Sequence, residues 1–259
     1  MKRFLTNHYT NIVETTGDVA LLVGQLIKSM VRHGVDFDLF LAQASRIGVD
    51  SLAVVGVTSI FVGMVLALQT GYSFKEVFNE PMYVGTVVGF SILKELGPVL
   101  TAIVVSGRIG ASIAAELGTM KVTEQIDALY TLGTNPIRYL GVPRFLGAFL
   151  MLPILTIYAD FLGILGGYFI STIRLGIPSA VYWEDIVGHI DMGVVVHGLL
   201  KTFAFAAIVA TTACYMGFNT FGGAEGVGRA TTKAVVASMV MILVSDYFLS
   251  AVLVAFGIG

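Results

Sequence analysis

The sequence predicts an all-α integral membrane protein with five transmembrane helices, an N-terminal amphipathic interfacial helix ahead of them, and a short cytoplasmic helix between spans two and three. Three observations predict it. Of 259 residues, 56% are hydrophobic without counting 30 glycines, and only 12% are charged, against a usual charged share of about 25%. So few charges cannot cover a chain of this length against water. Residues 51–74 and 202–224 contain no Asp, Glu, Lys or Arg, and about 20 apolar residues cross the hydrocarbon core. Residues 145–173 and 234–259 carry one acid each, Asp160 and Asp246, which is acceptable if those acids face protein or a cavity.

The remaining span, second in order, runs from Met82 to beyond Ser106 and is interrupted by Lys94-Glu95 and Gly97-Pro98. Proline frees a backbone acceptor, so a kinked, discontinuous helix is expected. Five spans place the termini on opposite sides. Basic residues favour the cytoplasm. They gather before span one (Lys2, Arg3, Lys28, Arg32, Arg46), after span two (Lys121, Arg138, Arg144) and after span four (Arg229, Lys233), whereas the other connections hold Lys75 and Arg174. The N-terminus is therefore expected in the cytoplasm and the C-terminus outside. Tyr72, Phe74, Phe78, Tyr83, Tyr182 and Trp183 suit an aromatic belt at the outer boundary. The polar opening residues lack a short apolar core with a cleavage site, so no cleaved leader is expected.

Before span one, Val19, Leu22, Val23, Leu26, Ile27 and Met30 recur at helical spacing, with Lys28 and Arg32 off that face. This reads as an amphipathic helix in the interface, or one packed on the rest of the protein. A second, with Phe37, Phe40, Leu41 and Ala44 against Asp38, Gln43 and Arg46, leads into the span. The chain divides accordingly into an N-terminal interfacial region, 1–50, and a five-span domain, 51–259. Between spans two and three, TEQIDALYTL places Ile126, Leu129 and Tyr130 on one helical face, and Gly133 with Asn135-Pro136 ends the segment. Such a helix can dock in a partner's groove or lie in the interface.

Several function classes are excluded. Fifteen basic against 17 acidic residues give no excess for nucleic acid. The single cysteine, Cys214, allows no internal disulfide or redox pair. GAEGVGRAT from Gly223 has the glycine spacing of a phosphate loop, yet Arg229 and Ala230 stand where Lys and Ser or Thr are needed. It reads as a flexible cytoplasmic turn, and ATP hydrolysis by this chain is not expected. No nucleophile elbow or zinc motif appears, and His8, His33, His189 and His197 are dispersed. Neither a catalytic role nor a cofactor or metal is expected.

What remains is the ionisable set within the spans: Lys94, Glu95, Asp160, Lys201 at the start of span four, and Asp246. Unpaired, each would cost several kcal/mol, so they should pair or line a polar cavity. Glu95 has an obvious partner in Lys201, either across an internal pocket or as a buried tie. Gly85/Gly89, Gly163/Gly167 and Ser59/Gly63 are small-residue pairs that let helices approach closely, within the chain or at a subunit interface.

The chain strongly resembles the MlaE-type permeases of lipid-transporting ABC systems, also called YrbE or MCE-associated permeases. The resemblance is carried by FVGMVLALQ at 61–69, LKELGPVL at 93–100, SGRIGASIAAELGTMKVTEQIDAL at 106–129, LGTNPIRYLGVPR at 132–144 and GVGRATTKAVV at 226–236. It implies a homodimer in a bacterial inner membrane that moves phospholipid between inner and outer membranes, maintaining outer-membrane lipid asymmetry. Implied partners are MlaF-type ATPase subunits, an MlaD-type MCE-domain protein and an MlaB-type STAS protein. By the same resemblance Leu66, Gln69, Tyr72, Phe74, Lys94, Glu95 and Lys201 line the lipid site. Glu124, Gln125, Asp127 and Gly133 belong to the coupling helix that meets the ATPase. The glycine follows the glutamate at a longer interval than in the EAA loop of other ABC importers, so that geometry does not transfer in detail.

Two rivals stand beside this reading. A secondary transporter would bind protons or ions at Glu95, Asp160 and Asp246, although five spans divide poorly into an inverted repeat. A membrane lipid enzyme would need a nucleophile or metal constellation that the sequence lacks.

Overall fold

The computed structural model describes residues 2–78 and 83–258, with side chains from Thr16 onward except those of His33, Val77 and Phe78. Met82 and the side chains of Lys2, Arg3, His8 and Phe78 thus lie outside what is described. The chain is 90% helix, with no strand among the described residues. Five helical stretches are long and apolar enough to cross a membrane: Phe37–Glu76, Val84–Val122, Ile137–Ile173, Met192–Phe218 and Gly223–Ala255.

Helix α1 (Lys2–His33) precedes the spans. Its Leu22, Leu26 and Ser29 are buried against the bundle, while Leu21, Ile27 and Val31 are exposed. Ile27 therefore departs from the predicted packed face. Helix α2 (Phe37–Phe78) is one uninterrupted helix, which fuses the short lead-in helix with span one. The predicted break in span two takes a specific form. Helix α3 (Val84–Ser91) passes through a π-helical turn, Ile92–Leu96, into α4 (Gly97–Val105), and a second π-turn, Ser106–Gly110, leads to α5 (Ala111–Val122). The Gly97 N–H donates to the Ile92 carbonyl; in that register Pro98, which has no N–H, leaves the Leu93 carbonyl without its helical donor. Span two thus continues as helix to Val122, well beyond Ser106 and into the connection that leads to span three.

Helix α6 (Gln125–Thr131) follows a reversal at Glu124, whose φ of 62° is left-handed, and Gly133 with φ 74° closes it. A third π-turn, Ile137–Gly141, opens α7 (Val142–Ile173). Helix α8 (Ser179–His189) caps the opposite end, and α9 (Met192–Phe218) and α10 (Gly223–Ala255) complete the chain. Two expectations need correction here. Span four begins ten residues earlier than the charge-free stretch, because Lys201 is buried inside the bundle rather than marking the helix end. The Gly-rich stretch is no flexible turn but the first turns of α10; only Gly222 and Gly223 adopt positive φ, and a side chain at Gly226 would collide with the Phe221 carbonyl.

Two layers form the bundle. In the first, α2 and α7 pack along their length because glycines bring the backbones together. A Cβ at Gly63 would fall on the Gly163 carbonyl, and one at Gly166 on that of Ile60. The second consists of α5, α9 and α10. The layers meet where α7 packs on α9 and where α4 touches both. Gly85 and Gly89 receive α8, at Tyr182, Asp185, Ile186 and Ile190. All three small-residue pairs therefore serve packing within this chain.

Candidate functional site

The broken helix builds the site. The Leu93 carbonyl, deprived of a donor by Pro98, lies against Gly198 of α9, where any side chain would collide with it. A carbonyl facing a glycine Cα is partly compensated by a C–H contact, and the close approach fixes α9 against the π-turn. Lys201 follows Gly198 by three residues and so shares its face. Its fully buried ammonium donates to Glu95 Oε2 at 2.5 Å, to Asp246 Oδ1 at 2.9 Å and to Ser250 Oγ at 3.1 Å. All three N–H donors of the lysine are satisfied. The Ser250 hydroxyl in turn donates to Glu95 Oε1 at 3.2 Å, which closes a ring. Asp246 and Ser250 stand four residues apart, on one face of α10.

The predicted Lys201–Glu95 contact is therefore present, within a larger network. Sequence reasoning missed Asp246 as the second acceptor, Ser250 and Gly198. The four-residue spacing on α10 and the glycine one turn before Lys201 were the signals available. Lys94 does not join the cluster, and its ammonium lies 4.8 Å from the centre of the Phe90 ring, a cation–π contact. Asp160 is also apart. It is buried on α7 against Gly97, and its Oδ1 has no hydrogen-bond partner.

Glu95 keeps 40% of its side-chain surface exposed while Lys201 keeps none, so the cluster offers an acidic edge outward and seals its cation inside. Leu96 next to it lines a groove of about 420 Å³ with Val57, Phe61, Val65, Leu66 and Gln69 of α2. Apart from Thr58 and Gln69 its lining is apolar, a wall suited to hydrocarbon. Of the predicted site residues, Leu66 and Gln69 face this groove, Tyr72 is exposed one turn further along α2, and Phe74 packs into the core around Val84, Val88 and Tyr182.

At the other end, α6 buries Ile126, half-buries Leu129, and presents Tyr130 and Leu132 to the outside, with Leu132 78% exposed. Asp127 is held by Lys121 Nζ at 2.9 Å, and the Gln125 amide donates to the Thr123 hydroxyl at 3.1 Å. Glu124 is exposed at the reversal and Gly133 at the exit. No group of three or more His, Cys, Asp or Glu residues arranged to hold a metal occurs among the described residues.

Five apolar spans, a broken helix with a charged cluster at the break, and an apolar groove beside it define a multi-pass membrane permease. The family model for permease MlaE matches residues 40–252, and the chain belongs to that family. It is 42% identical to a probable ABC transporter permease protein of Rickettsia typhi over 95% of both chains. A protein of the same description from Synechocystis is 41% identical over 88% of this chain and 87% of its own. The chloroplast protein trigalactosyldiacylglycerol 1 of Arabidopsis thaliana is 37% identical over 90% of this chain and 66% of the plant protein. The chain is thus an ABC transporter permease, the membrane component of such a system.

Proposed function

We propose that this permease moves phospholipid between the inner and outer membranes of a bacterium, driven by ATP hydrolysed on a separate subunit, and so maintains outer-membrane lipid asymmetry. The observation that carries the reading is the apolar groove of α2, which meets the broken helix at Leu96, the chain neighbour of the partly exposed Glu95 of the charged cluster. An amphiphile needs both, hydrocarbon wall for its chains and polar groups for its head. The plant relative bears the name of a diacyl galactolipid, which accords with a lipid cargo.

In this reading Leu66 and Gln69 contact the acyl chains, Tyr72 and Phe74 shape the outer end, and Lys94 and Glu95 form the polar depth, with buried Lys201 holding Glu95 from behind. Two copies face each other as a homodimer, with exposed apolar side chains of α10 such as Val240, Val244 and Tyr247 available to a second copy or to lipid. The chain lies in the inner membrane with its N-terminus cytoplasmic and its C-terminus periplasmic. Residues 1–50 form the interfacial region and 51–259 the permease proper, joined inside α2. MlaF-type ATPases engage α6 through Tyr130, Leu132, Glu124, Gln125, Asp127 and Gly133. An MlaD-type MCE ring receives lipid on the periplasmic side, and an MlaB-type STAS protein accompanies the ATPase. ATP binding would draw the ATPases together, shift α6 and narrow the groove, expelling its lipid, a two-state change biased by the nucleotide.

Filling the groove tests the lipid assignment. Val65→Trp places an indole where half-exposed Val65 now stands, away from the buried core. It should lower lipid retained by the purified permease at least tenfold, roughly 1.4 kcal/mol, with thermal stability unchanged. Undiminished lipid in that variant, measured by mass spectrometry, would remove the groove from the pathway.

A further inference from the structure

A second charged node lies at the end of the bundle that carries α6. Glu116 of α5 accepts from Arg46 of α2 and, at 3.0 Å, from Arg144 of α7. The Arg46 guanidinium also donates to the Ser112 hydroxyl at 3.2 Å, and Arg144, almost fully buried, donates to the Leu140 carbonyl at 2.8 Å. One carboxylate is thus gripped by two guanidiniums from two other helices. Such charge-assisted bonds are directional and roughly twice as strong as neutral ones.

The position of this node matters because of how the layers pack. Helix α5 packs on α9 and α10 but only marginally on α2 or α7. Helix α6 rests on α5, fastened by the Lys121–Asp127 pair. Helices α2 and α7 form one close-packed layer, and α2 carries the groove residues Val57, Phe61, Val65, Leu66 and Gln69. The chain itself leads from α6 through the third π-turn into α7, and α4 packs on α2 and α7; from α5, on which α6 rests, the charged side-chain link to both helices of the groove-bearing layer is Glu116.

We propose that the Arg46–Glu116–Arg144 node transmits movement of the α6–α5 unit to α2 and α7, so that the groove responds to the state of the ATPase. Glu116, Arg46 and Arg144 are positioning residues that act through α2 and need not touch the cargo. The inference rests on the ATP-driven reading above.

The test uses the intact permease–ATPase complex in lipid nanodiscs, spin-labelled at positions 65 on α2 and 240 on α10, with Cys214 replaced by Ala. Pulsed electron resonance reads the label separation with and without ATP-vanadate. The parent should show a nucleotide-dependent shift. Arg46→Ala and Glu116→Gln should lose it while keeping the melting temperature and the bound ATPase, and Arg46→Lys should restore part of it. A parent that shifts beside an Arg46→Ala variant that shifts equally overturns the proposal alone. A parent without any nucleotide response overturns the ATP-driven reading and this proposal with it. Variants that lose ATPase binding or melt early assign the node a purely structural role and also overturn it.

Discussion

Replacing Lys201 with Met should destabilise the permease by about 3–5 kcal/mol, the range for removing one partner of a buried ion pair. The lysine is wholly buried and uses all three donors on Glu95, Asp246 and Ser250. Without it two carboxyls face each other at the broken helix with no cation between them. Arginine should not substitute, since a planar fork cannot occupy a site built around three converging acceptors. Adding Glu95→Gln to Lys201→Met should recover much of the loss, because the remaining acid is then no longer opposed by a second one. Thermal melting of the four species of that cycle measures the coupling. A Lys201→Met protein that melts with the parent would show that the network contributes nothing to the fold.

An effect of similar size is expected at Gly63. Any Cβ there falls on the Gly163 carbonyl of α7, and backbone, unlike a side-chain tip, cannot rotate away. Overpacking costs typically about 1–3 kcal/mol and occasionally more, and here the α2–α7 layer must part along its tightest seam. Gly63→Val should therefore fail to give a monodisperse peak on size-exclusion chromatography, or should melt far below the parent. Gly24→Ala in α1 provides the contrast. A Cβ at Gly24 meets nothing within 4 Å, and Gly to Ala in a helix gains roughly 0.5–1 kcal/mol, so this variant should melt at or slightly above the parent. Equal behaviour of the two variants would mean that the α2–α7 seam does not have the spacing described.

The contrast between these two glycines bears on what was legible in the sequence. Apolar runs interrupted by isolated charges were enough to place five spans, since lipid imposes length and hydrophobicity directly. Lys201 misled at the start of span four because a charge-free stretch marks only where lipid could be tolerated. A lysine whose donors are all satisfied sits inside a helix as readily as at its end. The Gly-rich start of α10 misled in the other direction, since glycine's intrinsic cost in a helix is small and tertiary packing overrides it.

At the site, the Glu95–Lys201 pair followed from charge scarcity, because only one buried base was available on another span. Asp246 and Ser250 did not follow, since nothing local reveals which face of α10 turns inward. Gly198 is informative only once Pro98 is known to strand the Leu93 carbonyl. The Arg46–Glu116–Arg144 node was invisible for a related reason. Arg46 and Arg144 were read for the side of the membrane they mark, and their charges also serve a joint between helices far apart in sequence.

The most direct test of the central claim is lipid movement by the permease with its copurifying ATPase, reconstituted with fluorescent phospholipid. Extraction of the lipid by an acceptor protein should require ATP, survive proton and sodium ionophores, and fall at least tenfold when Leu132→Asp places a charge on the exposed face of α6. Movement that proceeds without ATP and collapses with the ionophores would contradict the account and assign the chain to ion-coupled transport instead.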